Sequence, residues 1–232
     1  MLTIDASRFL RDMKSVEGDT RKATVYALTD TAKDVHAASK ARIDEAFDRP
    51  VPFTKNALMT RFARLADDMP FAEVRQKPTS AGRHYLAVEE DGGQRPQTGV
   101  ERLLSRLLRG SGRIEALTPA RGARLDKAGS WARGERSAAL AALKRHRGAA
   151  AGQPASSSRL AFFAARPGGQ LSPGIYARKK DMSLKKVAHI TDRTPRYKPL
   201  LQLHDRAALV FAKRYPEHFS RILDRLRSKS GK

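Results

Sequence analysis

Cysteine is absent from the chain, so neither a disulfide framework nor a thiolate metal site is open to it. Aromatic residues are scarce, 6% with a single tryptophan, and they are not interleaved with basic residues as a platform for stacking single-stranded bases requires. No apolar run approaches the roughly 20 residues of a membrane span. The opening MLTIDASRFLRDMK has neither a basic leader nor an apolar core, so a soluble chain made in the cytoplasm, with no membrane partner, is expected. Acidic residues are the other shortage: 24 Asp and Glu stand against 46 Lys and Arg, a net charge of +22 at pH 7. Such a field attracts polyanions or acidic protein surfaces, an inference about partners rather than fold. An arginine- and alanine-rich composition without a specific partner is the plainer alternative.

Catalytic and metal-binding patterns are also missing. The six histidines, His36, His84, His146, His189, His204 and His218, never stand four apart or in an HExxH setting, so no metal site is expected. Carboxylates are mostly one turn from a basic residue, as in solvated ion pairs, and give no acid/base pair. Gly92-Gly93, Gly110-Ser111-Gly112 and Gly168-Gly169 lack the strand, GxxxxGK and helix context of a nucleotide cradle and read as turns. Ser156-Ser157-Ser158 lacks a nucleophile elbow. No enzyme activity, catalytic residue, metal or cofactor is expected.

What is present is helix periodicity. Over Asp19 to Phe47, apolar positions Val25, Leu28, Ala32, Val35, Ala38 or Ser39, Ile43 and Ala46 recur at threes and fours and form a single stripe. Arg49-Pro50 supplies the stop. So long a helix with so small a stripe is not stable alone and predicts a closely approaching partner, either a sheet or the long C-terminal helix. Leu2 to Phe9 reads as a short strand or docking arm. Thr54 is an expected helix N-cap.

Leu58 to Leu65 and Phe71 to Lys77 read as strands joined by a turn at Asp67-Asp68-Met69-Pro70. Thr98 and Glu101 have the spacing of a capping box, opening a helix with Val100, Leu103, Leu104, Leu107 and Leu108 inward and Gly110 and Gly112 at its end. The segment from Ile114 begins as a loop because Pro119, Gly122 and Gly129 discourage regular structure. A second helix follows from Ser130 or Arg133-Gly134, with Leu140 and Leu143 inward.

A flexible surface loop is expected around 147–159. Leu160 to Ala165, Gly174 to Arg178 and Lys186 to Thr191 read as a β-meander, and Thr194 to Lys198 as a loop. Leu200 to Ser228 is helical, broken or kinked at Pro216, with Phe211 among its apolar face. The 232 residues, 40% apolar, can bury a core. One α+β domain over 1–232 is expected: a small antiparallel sheet packed against a long N-terminal helix and a long C-terminal helix.

From Arg102 to Arg147, twelve Lys and Arg face three acids. The candidate DNA- or partner-facing residues are Arg121, Arg124, Lys127, Lys144, Arg145 and Arg147, joined by Lys179 and Lys180 from the stretch Arg178 to Lys186. Shared on one face, they would hold phosphates without reading sequence. No helix-turn-helix or finger spacing is present.

Several phrases carry a resemblance: Ala27-Leu28-Thr29-Asp30-Thr31-Ala32 within the long helix, then Phe47-Asp48-Arg49-Pro50-Val51-Pro52-Phe53-Thr54. HYLAVEEDGGQRP, ALTPARGARLDKAGSWARGE, FFAARPGGQLSPGIYAR and RYKPLLQLHDRA follow in order. The chain thus resembles, over most of its length, bacteriophage tail-completion and minor tail proteins, the group that includes the phage lambda minor tail protein Z. Trp131, in place of a small polar residue, and the 148–158 loop depart from that pattern.

The resemblance implies a virion structural protein of the neck or upper tail, present in the host cytoplasm during assembly. It implies a homo-oligomeric ring docked on portal, adaptor or tail proteins, with sequence-independent contact to packaged DNA. A non-specific nucleic-acid-binding protein using the 102–147 block is the alternative.

Overall fold

The computed structural model describes residues 7–78, 86–108, 114–146, 161–165 and 169–230. The expected loop over 147–159, Gly110, Gly112, His84, Arg147 and Leu2 to Ala6 lie outside the described residues. The chain is α+β, with 14 elements among those described. Where one domain was expected, its residues group into two compact units: Met1–Leu86 with Leu200–Lys232, and Ala87–Pro199 between them.

The first unit is organised by α1 (Ser7–Ala46), a 40-residue helix, about 60 Å of rise. It begins earlier than its periodicity suggested: Ser7 to Val16, expected as arm and lead-in, is already helix. Its exit is set by Arg49, whose φ of +52° precedes Pro50.

The single stripe was too narrow a reading. Ala23, Val25, Ala27, Thr31, Ala32, Ser39 and Ile43 are all buried, a wide arc rather than one row. Both alternatives for its partner are realised, because α6 (Leu203–Ser230) and a β-hairpin each pack on it. Contacts run antiparallel along α6: Arg42 donates to the Leu200 and Leu201 carbonyls (2.6 and 3.3 Å), Asp34 meets Arg214 and His218, and Asp30 meets Arg221. Small side chains at 23, 27 and 31 let the backbones approach. Pro216 removes one backbone bond without ending the helix, which stays continuous through it. Phe211, expected inward, is exposed and stacked on Tyr215, itself stacked on Phe219.

The short α2 (Pro52–Lys55) is opened by Val51 with Pro52 in its first turn. Thr54 lies inside it, buried, and not at its cap. The hairpin follows as expected, in shorter strands: β1 (Leu58–Arg61) pairs antiparallel with β2 (Glu73–Gln76), Leu58 opposite Gln76. His36 of α1 is bonded to Thr60 of β1 at 2.6 Å. Ile43, Ala57, Leu58, Leu86 and Leu201 form this unit's apolar cluster, so the chain's departure and return meet in one core.

Leu86 opens α3 (Leu86–Asp91), after which β3 (Gly93–Gln94) pairs with β8 (Arg196–Tyr197), a pairing not anticipated in the stretch read as loop. Gly92 at φ +75° sits against Pro199 and the Tyr197 carbonyl, where a Cβ would collide.

The second unit's four-stranded antiparallel sheet has the order β4-β7-β6-β5, from β4 (Ala116–Pro119), β5 (Ala161–Ala165), β6 (Gly174–Arg178) and β7 (Leu184–Thr191). The meander β5–β6–β7 matches its expectation. β4 does not: Pro119 was taken to discourage a strand, but it ends an edge strand, where a missing N–H is tolerated. The core lies between one sheet face (Phe162, Ile175, Ala177, Val187, Ala188) and Leu104 of α4 (Gly99–Leu107) with Ala139, Ala142 and Leu143 of α5 (Arg133–His146). The alternation in β6, Ile175 and Ala177 inward, follows the strand period.

The capping box at Thr98 forms as expected and reaches further. Glu101 Oε2 accepts from the Thr98 amide (2.6 Å) and hydroxyl, and Oε1 accepts from the Leu117 amide of β4 at 2.9 Å. Arg95 clasps both oxygens at 2.7 and 3.1 Å. Burial raises this carboxyl, but Arg95 and the Thr98 and Leu117 amides outweigh it and hold it below its ordinary value of 4.5. Its stabilisation is therefore complete above pH 4.5 and lost as pH falls through the depressed folded value. Glu101→Gln is expected to cost the unit about 2–4 kcal/mol in denaturant unfolding at pH 7 and to flatten the acid limb below pH 4.5.

Candidate functional site

Two exposed surfaces stand out, one in each unit. The first is the loop joining β1 to β2. Phe62, Leu65, Met69 and Phe71 are all exposed within ten residues, Met69 at 86%. A chance collection of apolar side chains on a slack loop would be unremarkable, but this loop is tied down. Arg21 of α1 donates to the Leu65 carbonyl (3.2 Å) and the Asp67 carbonyl (2.7 Å), and the Asp67 amide closes a turn on Arg64. The Arg61 guanidinium covers Phe71 at 4.5 Å, and the Lys33 ammonium lies 5.8 Å from the Phe62 ring centre. The hairpin connection was legible in the sequence, but its hydrogen-bonded turn is Arg64 to Asp67, three residues before the expected Asp67-Asp68-Met69-Pro70. The loop's apolar load and its anchor 44 residues upstream were not legible.

The same unit exposes Phe53, Leu209 and Phe211, the latter two on α6. Its part-buried polar seam was also invisible in the sequence: Asp34 accepts from Arg214 Nε and His218 Nε2, both at 2.8 Å. Arg221 reaches His218 Nδ1 at 2.9 Å and Asp30 at 3.2 Å. A guanidinium only donates, so Nδ1 accepts and Nε2 carries the hydrogen shared with Asp34. That bond, ahead of the one from Arg214, holds the Asp34 carboxyl below its ordinary range. The seam is structural: it fixes α6 on α1. Among the described residues no group of three or more His, Asp or Glu is placed to hold a metal ion.

The second surface is the β6–β7 hairpin. Arg178, Lys179, Lys180, Lys185 and Lys186 fall within nine residues, folded back by a turn in which the Lys179 amide bonds the Ser183 carbonyl and Met182 takes φ +61°. Asp181, the only acid between 174 and 191, is consumed by the turn: its carboxylate accepts from the Ser183 hydroxyl (2.7 Å) and amide (3.1 Å). Those bonds hold it below the ordinary aspartate range, with the nearby Lys179 charge adding to them.

Arg121 joins this set from elsewhere in sequence. The Ala120 amide bonds the Val187 carbonyl at 3.0 Å. Gly122 is seated so tightly that a Cβ would strike the Lys186 carbonyl and the Lys185 side chain. The Arg121 turn is thus laid on β7.

The fold therefore brings the Arg121 turn against Lys185 of β7, with Lys179 and Lys180 in the turn that leads into that strand; the Lys186 side chain lies on the other sheet face, over Tyr176. The other candidates lie elsewhere in this unit. Arg124 and Lys127 flank a turn held by Asp126 and the Leu125–Trp131 bridge; Lys144 and Arg145 end α5. Among the described residues, none of Arg121, Arg124, Lys127, Lys144, Arg145, Lys179, Lys180 and Lys185 makes an ion pair within 4 Å.

Comparison of the chain with protein-family models, curated proteins and solved structures finds no match. The functional reading accordingly rests on the two surfaces and on the sequence phrases already described.

If Arg21 is the loop's anchor, Arg21→Ala should cost no more than about 1 kcal/mol of global stability. It should nonetheless raise amide exchange and proteolytic clipping within residues 62–72; an unchanged exchange pattern would show that the loop holds itself.

Proposed function

We propose that this chain is a structural component of a bacteriophage particle, at the head-tail junction or upper tail, acting by homo-oligomeric assembly and docking rather than by catalysis. The observation that carries the reading is the β1–β2 loop, four large apolar side chains held to solvent on a backbone clamped by Arg21. Large apolar side chains exposed together mark interaction surfaces. A clamped backbone reduces the ordering entropy that binding must overcome. Phe211 and Leu209 on α6 supply a further apolar stretch for a partner.

The resemblance to tail-completion and minor tail proteins supports the same reading. Its first phrase lies in α1, and its second, FDRPVPFT, is the corner by which α1 turns into α2. On this reading the partners are further copies of the chain in a closed ring, and portal, adaptor or tail proteins. The place of action is the virion, after assembly in the host cytoplasm. Catalytic residues, metals and cofactors play no part.

A second reading, non-specific nucleic-acid binding through the 102–147 block, is favoured by the charge of Arg121, Arg124, Lys127, Lys144 and Arg145, none of which meets a carboxylate within 4 Å among the described residues. The two separate experimentally. Light scattering and negative-stain microscopy of the protein mixed with portal or tail assemblies should show rings or bound complexes on the first reading. Mass spectrometry should find the chain in finished particles; its absence there would overturn that reading. The double variant Leu65→Asp with Met69→Asp is expected to fold normally while weakening assembly at least about tenfold, because it places charge where an apolar contact must form.

A further inference from the structure

We infer that the β6–β7 hairpin tip, with Arg121 laid beside it, is a clamp for the phosphodiester backbone of duplex nucleic acid. The inference rests on the nucleic-acid reading above but moves its site from the 102–147 block to residues 178–186, keeping only Arg121 from that block.

Charge density is the first argument. The hairpin carries five cations within nine residues, with the Arg121 turn laid on β7 beside Lys185, against one acid, whose Oδ1 is engaged by Ser183 of the turn. Asp181 keeps its charge and offsets one of the cations, with Lys179 nearby, so the hairpin remains strongly positive after that compensation. Cations left without carboxylate partners are suited to displacing counterions from phosphates, the source of sequence-independent affinity.

Shape is the second. The 179–183 turn ends a sheet in which β5 runs beside β6 as far as Arg178, so it meets a duplex backbone as a sheet edge with cations on both of its strands, and not as a two-stranded ribbon in a groove. Lys185 stands opposite Ala177, and Leu184 opposite Arg178, so the cations come from both strands of the ladder.

The third argument excludes base stacking. On this sheet face Phe163 and Tyr176 stack on each other at 5.7 Å, as aromatic platforms for single strands do. Their remaining ring faces are taken: Arg178 lies 5.3 Å over Phe163, and Lys186 lies 5.7 Å over Tyr176 while bonding Ser172. Tyr176 is buried, its hydroxyl bonded to Ser172. No open ring is offered to an unstacked base, so the contact is to backbone and a duplex is the fitting ligand.

The test uses the full-length protein and a 30-base-pair DNA duplex of arbitrary sequence, with an RNA duplex and a single strand of equal length beside it. Affinity is measured by fluorescence anisotropy from 50 to 300 mM salt. The triple variant Lys179→Gln, Lys180→Gln, Lys185→Gln should lose roughly tenfold or more in affinity at 100 mM salt, and its log-log salt slope should fall by roughly 3. The equally charged control Lys127→Gln, Lys144→Gln, Arg145→Gln should stay within about threefold of the unsubstituted protein. Circular dichroism confirms that both variants fold.

Equal binding of DNA and RNA duplexes identifies the shared backbone as the ligand, and preference for one identifies which; both support the clamp. Binding of both variants at the unsubstituted level, or equal loss in both, overturns the clamp while leaving a diffuse nucleic-acid reading standing. Binding of single strand alone overturns it through the stacking argument. No binding by the unsubstituted protein at 50 mM salt overturns the clamp and the nucleic-acid reading together.

Discussion

The antiparallel seating of α6 on α1 is the constraint on which this structure depends. It joins residues about 180 positions apart in sequence, so its loop-closure cost must be met by contacts that form together. Small residues on α1 permit the approach, and the Asp34 carboxylate, reached by both Arg214 and His218, fixes the register. A slip of one helical turn would bring Val210 or Ile222 where Arg214 or His218 now stands and cost Asp34 one of its two partners, which favours the present alignment. Polar groups in a seam of this kind act less as added stability than as a statement of which pairing is correct.

In sequence the second unit is an insertion into the first. Leu86 and Leu201 lie in one apolar cluster, so the chain leaves the helical unit and returns to it at the same place. Immediately beyond, Gly92 packs on Pro199 and β3 pairs with β8, closing the base of the inserted segment. An insertion whose two ends are held together in this way leaves its host's contacts undisturbed. Its own stability comes from a separate core and from Glu101, which is at once a helix cap, an ion-pair partner and the receiver of an edge-strand amide.

What could be read in advance follows from the range of the interactions involved. Local signals were legible: the period of α1, the Thr98–Glu101 cap, the β1–β2 hairpin connection and the meander strands all depend on residues a few positions apart. Where a local rule met a tertiary one, the local rule lost. Pro119 suggested no strand, yet an edge position absorbs it; Pro216 suggested a break, yet packing on α1 carries the helix through. Phe211 fits an apolar helix face by spacing, but the ring stays exposed, stacked on Tyr215 of its own helix.

The candidate site divides in the same way. The basic residues were visible as a composition, but their grouping was not. Arg121 meets the lysines of β7 only through the seat of Gly122, and the engagement of Asp181 by its own turn is a geometric fact. Nothing in spacing announces that Arg21 of α1 holds an apolar loop past residue 60.

The two surfaces differ in range as well as in composition. The attraction of a net-positive hairpin extends over a Debye length, about 8 Å at physiological ionic strength. The apolar loop acts only at contact, where water is excluded. A protein carrying both is drawn to a polyanion without being told where along it to stop, and is held at a protein surface without being drawn there from a distance. The division fits an assembly component that must find a particle containing nucleic acid and then bind one position on it. On the proposed reading, electrostatic attraction would govern the encounter, and burial of Phe62, Leu65, Met69 and Phe71 would govern residence. Added salt should therefore slow association more than it speeds release, since the contact that holds the complex is apolar.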